Sequence, residues 1–225
     1  MQTGNRPDIY AKVHRGLRVS LYNLSTLIGR TEFTDDREVG AMRAGALEVL
    51  HFLDEHAHNA ERWILALLEE KSPGSADHDH ESHERIEAEL DEFRRALDDI
   101  AQMPVGPERS TAGETLYHQY NRFLSGYLLH MEEEERETTA SLHKLCTDDE
   151  LRGITANIMQ HSKPDDLEMA LRAFIPAIDK RLRNEFVSEV ASSAPPEVTE
   201  WLLGIARDTL VEKEFSDLVK SLPAT

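Results

Sequence analysis

The sequence is poor in cysteine, with Cys146 alone among its 225 residues. A single cysteine excludes an internal disulfide and a cluster of thiolate ligands, so soft metal sites are ruled out. No apolar run approaches the roughly 20 residues of a membrane span, and the N-terminal segment lacks the basic start and apolar core of a signal peptide. These absences predict a cytoplasmic protein.

Basic residues are also few: the sequence contains 25 lysines and arginines and 43 aspartates and glutamates, which gives a net charge of −18. Nucleic acids and anionic membranes bind basic surfaces, so this balance argues against both as partners. The chain is 40% apolar and 30% charged, a composition typical of a soluble helical protein.

Helical periodicity is the main structural signal. Apolar residues recur at alternating spacings of three and four, which gives each segment one inward face. Short connections predict an up-down-up-down four-helix bundle, and a capping box at Thr147 and Glu150 predicts a further helix. We therefore expect an all-α protein, with a bundle over residues 1–146 and additional C-terminal helices over residues 147–225 that pack on the bundle or on a partner. The four long helices are predicted at about residues 8–29, 39–71, 79–103 and 108–146.

The inward face of the fourth helix ends in two polar residues, His130 and Glu134, one turn apart. Burying an imidazole and a carboxylate costs several kcal/mol unless each finds a partner. A metal ion satisfies both side chains. The alternative is that the two pair with each other at the wet end of the bundle.

Each of the other inward faces also contains a histidine. His14 interrupts the inward face of the first helix. His56 interrupts that of the second helix, which continues through Ala60 to Trp63 and Leu67. The inward face of the third helix begins with Asp79 and His83. A lone histidine of this kind is more often a hydrogen-bonded core residue than a ligand. His14 and His83, however, lie near the starts of the first and third helices, whereas His56 and His130 lie late in the second and fourth. In an antiparallel bundle these positions meet at one end, and this agreement favours a shared metal site.

The predicted ligand set contains imidazoles and carboxylates without sulfur. Such a set suits iron or manganese and also zinc, and six ligands suit two iron ions with an open position for a small molecule. Glu61 lies about 100° around its helix from the inward face, within reach of the site if its side chain bends. The predicted ligands are His14, His56, Asp79, His83, His130 and Glu134, with Glu61 as a further candidate.

At these residues the chain resembles the hemerythrin-like family, the His-His-Glu cation-binding domain. The resemblance covers about residues 8–146 and rests on His14 in VHRGLR, His56 in FLDEHAHNAERWILALLEE, His83 in SHERIEAEL, and His130 with Glu134 in FLSGYLLHMEEEE. It implies a four-helix bundle with a non-heme di-iron centre that binds dioxygen, or that serves oxygen, iron or nitric oxide sensing or iron-centre repair. The later helices resemble an extension of some bacterial members and iron-sensing relatives.

Two positions depart from the family pattern. Ala60 replaces the carboxylate expected four residues after the second-helix histidine, so Glu61 or a water fills the gap, or the site holds a single ion. Asp79 stands where the third helix often has a histidine, with His80 as a substitute ligand. These departures argue against reversible oxygen carriage and leave metal binding intact.

Three functions remain open from the sequence, and whether the protein is an enzyme is not decided by it. The leading hypothesis is an iron-binding protein that binds or senses dioxygen, a related small molecule such as nitric oxide or peroxide, or iron. The second is a di-metal oxidase or peroxidase, although no inward face carries the Glu-x-x-His pairs of ferritin-like enzymes. The third is an acidic helical protein with one metal ion or none, whose C-terminal helices dock a partner or form a homodimer.

Overall fold

A computed structural model describes residues 6–222, and every regular element among them is helical, as the sequence predicts. Within this range no helix combines the length and apolar character needed to cross a membrane. The helices are α1 (Val13–Arg30), α2 (Asp36–Asn59, continued by Ala60–Leu65 and Ala66–Lys71), α3 (Asp77–Gln102), α4 (Pro107–Glu133, continued by Glu134–Thr138 and Thr139–Leu145), α5 (Asp148–His161), α6 (Pro164–Ala177), α7 (Lys180–Ser193), α8 (Pro196–Thr209) and α9 (Glu212–Ser221).

Local sequence signals account for several helix ends. Asp35 caps α2, because its carboxylate accepts a hydrogen bond from the backbone N–H of Arg37. The capping box predicted before α5 is confirmed, since the Glu150 carboxylate accepts from the Thr147 N–H and the Thr147 hydroxyl accepts from the Glu150 N–H. Lys71 and these Thr147 contacts lower the pKa of the Glu150 carboxyl to about 2.

The chain divides into two compact units. The first contains the described residues up to Tyr10 together with Ser20–Gln160, and the second contains Ala11–Val19 with the chain from His161 onward. Helix α5 therefore belongs to the first unit, where Leu151 and Ile154 join its buried apolar cluster. The sequence placed the domain boundary earlier, after residue 146.

Aromatic residues fill the inward face of α4 in the first unit. The rings of Tyr120, Phe123 and Tyr127 follow one another with centroids 6.1 and 5.6 Å apart, and Phe93 of α3 packs on Tyr120 at 5.2 Å. The buried Tyr120 hydroxyl donates a 2.9 Å hydrogen bond to the carbonyl of Leu21. This bond fixes the height of α1 against α4.

Two π-helical turns interrupt the long helices, at Ala60–Leu65 in α2 and at Glu134–Thr138 in α4. Each wide turn holds one extra residue and shifts the buried face by one position. In this part of α2 the buried residues are Ile64, Leu65 and Leu68, whereas Trp63 and Leu67 are half-buried. The predicted continuation of the apolar stripe through Trp63 and Leu67 is therefore corrected.

The second unit has its own apolar core, formed by helices α6 to α9. Buried Arg183 closes one end of α6 by donating to the carbonyls of Ile175 and Ile178. Gly16 makes a close backbone approach, because a Cβ there would lie 2.9 Å from the Phe174 nitrogen. The core is formed by Leu171, Phe174, Ile175, Ile178, Phe186, Val187, Val190, Leu202, Ile205, Ala206, Leu210 and Leu218.

Candidate metal centre

Glu134 lies at the centre of a buried polar cluster in the first unit. It is completely buried and begins the π-helical turn of α4, one turn after the buried His130. The His130 Nε2 lies 3.5 Å from the Glu134 Oε2. His130 and Glu134 are therefore both buried on the inward face of α4, as the sequence predicts.

His83 of α3 faces the same carboxylate. Its Nε2 lies 3.8 Å from the Glu134 Oε1, and its ring centroid is 5.1 Å from that of His130. His83, His130 and Glu134 each offer one ligand atom, and these atoms lie within 4.8 Å of one another. The His83 Nε2 is buried and has no hydrogen-bond partner among the described residues. Two imidazoles and a carboxylate in this arrangement could hold a metal ion.

His56 approaches Glu134 from α2. Its Nε2 lies 3.7 Å from the Glu134 Oε2, the oxygen that also faces His130, whereas His83 faces Oε1. Both oxygens of one buried carboxylate are thus surrounded by imidazoles from three helices. Together with the surrounding imidazoles, this carboxylate could hold a metal ion.

Asp79 is buried beside this cluster, and its carboxylate is bound by a hydroxyl. The Thr138 Oγ1 donates a 2.8 Å hydrogen bond to the Asp79 Oδ1. Burial raises the pKa of the Asp79 carboxyl, and the bond from Thr138 opposes this shift. The sequence did not identify Thr138, although it falls one wide turn after Glu134 on the same buried face.

Glu61 contacts histidines of α3. Its Oε1 lies 2.6 Å from the Nδ1 of His83, and its Oε2 lies 2.8 Å from the Nδ1 of His80. Burial lowers the pKa of His83, but the carboxylates of Glu134 and Glu61 outweigh this effect and raise it. When His83 is neutral and its Nδ1–H donates to the Glu61 carboxylate, the lone pair of the ring is at Nε2, the atom that faces Glu134.

We expect the variant Glu61→Ala to bind metal roughly 10- to 100-fold more weakly, because His83 loses the partner that orients its ring. Glu61→Gln retains a carbonyl acceptor and should lose less, whereas a metal-ligating Glu61 would make both variants equally weak. Metal titration monitored by absorption or calorimetry measures the difference. Glu89→Ala removes an exposed carboxylate of α3 and is the control.

Two tyrosines close the cluster on its apolar sides. Tyr10 is completely buried with its ring 6.4 Å from that of His56, and the Tyr127 ring lies 5.7 Å from that of His130. Burial, followed by the charges of Glu134 and Asp79, raises the pKa of Tyr10 well above its usual value. No pattern in the sequence assigns Tyr10 to the site.

His14 is fully buried in the first turn of α1, on the face that also carries Leu17 and Leu21. Its segment groups with the second unit, whereas the other predicted ligands belong to the first. Helix α1 is continuous from Val13 to Arg30 and runs from one unit into the other.

No protein-family model matches the chain, and no curated protein matches it significantly. The fold and the site therefore define its class: an all-helical protein, over the residues described, with a buried histidine and glutamate cluster that could hold a metal ion.

Proposed function

We propose that the protein is a non-heme iron-binding protein whose centre binds or senses dioxygen, a related small molecule or iron, as its resemblance to the hemerythrin-like family implies. The observation that carries this proposal is the completely buried Glu134 carboxylate, surrounded by imidazoles of α2, α3 and α4. A completely buried carboxylate is costly unless a positive charge compensates it, and a metal ion bound to the surrounding imidazoles would do so. The donor set contains nitrogen and oxygen only, which suits iron, with manganese and zinc as alternatives.

His56, His83 and His130 would hold the iron through their Nε2 atoms, together with the Glu134 carboxylate. Two ions that share Glu134 would be the form of centre that the resemblance implies. His14, which groups with the second unit, stays a ligand predicted from the sequence alone.

The bound iron would supply a site for dioxygen or nitric oxide, while the protein side chains hold the ions and limit access. Tyr10 and Tyr127 exclude water from the apolar sides. Asp79 is held by Thr138 next to the centre, and Glu61 orients His83.

Metal analysis tests this function. Protein purified in air should contain close to two equivalents of iron, or bind them on anaerobic addition of Fe(II), and should develop visible absorption on exposure to air. Less than about half an equivalent of bound iron, with no absorption after reconstitution, would contradict the proposal. Parallel titrations with Mn(II) and Zn(II) compare the competing metals.

A further inference from the structure

A pocket of about 640 Å³ leads from the surface of the first unit to the metal centre. It lies between α2 and α3, and its inner end is formed by His83 and His130. The buried Nε2 of His83 at this end has no hydrogen-bond partner among the described residues. The volume greatly exceeds the roughly 30 Å³ share of one water, so a hydrated ion fits.

Carboxylates dominate the outer part of the pocket. Asp54, Glu61, Glu84 and Glu87 line it, against the single guanidinium of Arg94. Glu84 and Glu87 are exposed and take part in no ion pair of the described chain. The charge of Arg94 is compensated by ion pairs with Asp54 and with Asp91, the latter at 2.9 Å.

We propose that this acidic pocket is the route by which a divalent cation enters the metal centre, with Glu84 and Glu87 drawing the ion inward. The inference rests on the proposed metal-binding function and adds the entry path. A cleft lined by charges of one sign concentrates the oppositely charged ion and raises its association rate by about 10- to 1,000-fold. The two carboxylates are exposed and lie at the outer part of the pocket. They therefore affect the rate of metal loading, whereas the buried ligands determine the final affinity for the metal.

Loading kinetics of the full chain test the route. Metal-free protein is mixed with Fe(II) without oxygen, or with Co(II), and the uptake is followed by stopped-flow absorption at low salt. We expect Glu84→Gln/Glu87→Gln to load about tenfold more slowly, with unchanged final stoichiometry. The matched control, Glu89→Gln/Glu92→Gln, removes the same charge from exposed positions of α3 outside the pocket and should load at the unmutated rate.

A charge change of opposite sign gives a second test. Arg94→Gln removes the one guanidinium from the pocket and should accelerate loading, and the differences between variants should shrink as salt screens the charges. Equal loading rates for the pocket variant and its control would overturn the entry route alone. Failure of the unmutated protein to take up metal would overturn the route and the proposed function together.

Discussion

Glu134→Gln is expected to lose metal binding by more than about 100-fold and to retain the helical fold. Removing a residue that only hydrogen-bonds to a metal ligand already weakens metal binding about 10- to 100-fold. Glu134 is the carboxylate that faces all three imidazoles of the first unit's cluster. Glutamine has nearly the same volume, so packing in the π-helical turn is preserved. It lacks the negative charge that a cation requires.

The same substitution should act in the opposite direction on the metal-free protein. Without a cation, the completely buried Glu134 is stabilised mainly by neighbouring imidazoles, and a neutral amide avoids the cost of burying the charge. We expect Glu134→Gln to melt at the same temperature as the metal-free protein or higher, and to show no rise in melting temperature on adding metal. Paired thermal melts with and without metal measure both effects.

Glu137→Gln is the control, because Glu137 is exposed in the same π-helical turn and pairs with Arg136. It should bind metal normally and gain stability from it. A Glu134→Gln variant that binds iron with unmutated affinity would remove Glu134 from the site. The remaining imidazoles would then have to account for all binding.

The helical periodicity was sufficient to predict the long helices and the inward direction of His56, His83, His130 and Glu134. Apolar spacing reports which face of a helix is buried, and a polar residue on that face is conspicuous. Periodicity did not reveal the π-helical turn after His56, because a single extra residue per turn leaves no composition signal. The error appeared at Trp63 and Leu67, where the buried face had already shifted by one residue.

The partners of the site residues were harder to predict than their positions. Glu61 was a candidate ligand because its side chain is long enough to bend inward, yet it bends to His80 and His83 of the next helix. Asp79 was predicted inward and lies buried, but its contact with Thr138 depends on the wide turn of α4. Contacts between helices depend on rotations and heights that a single helix pattern does not contain.

The end of the first unit illustrates the same limit. The capping box at Thr147 correctly marked a new helix. The sequence left open whether this helix packs on the bundle or on a partner, and Leu151 and Ile154 pack with Ala60 and Leu142. A helix start is a local signal, whereas membership of a core depends on which apolar face lies nearby.

A second large effect is expected at Gly113 of α4, which packs against Phe33 of the loop before α2. A Cβ at this position would lie 2.3 to 2.5 Å from three ring carbons of Phe33. The Phe33 ring is itself buried and cannot move outward without losing its packing. Gly113→Ala should therefore cost about 1–3 kcal/mol of unfolding free energy, although alanine favours a helix by up to about 1 kcal/mol.

Gly126→Ala is the matched control, since Gly126 lies on the same helix and a Cβ there would meet nothing within 4 Å. Here only the helix preference acts, so stability should rise by up to about 1 kcal/mol. Thermal melts of the two metal-free variants should therefore move in opposite directions, by roughly 2–4 °C for each kcal/mol. A Gly113→Ala protein as stable as Gly126→Ala would show that the Phe33 ring can leave α4 at little cost, and that this loop does not set the distance between α4 and the start of α2.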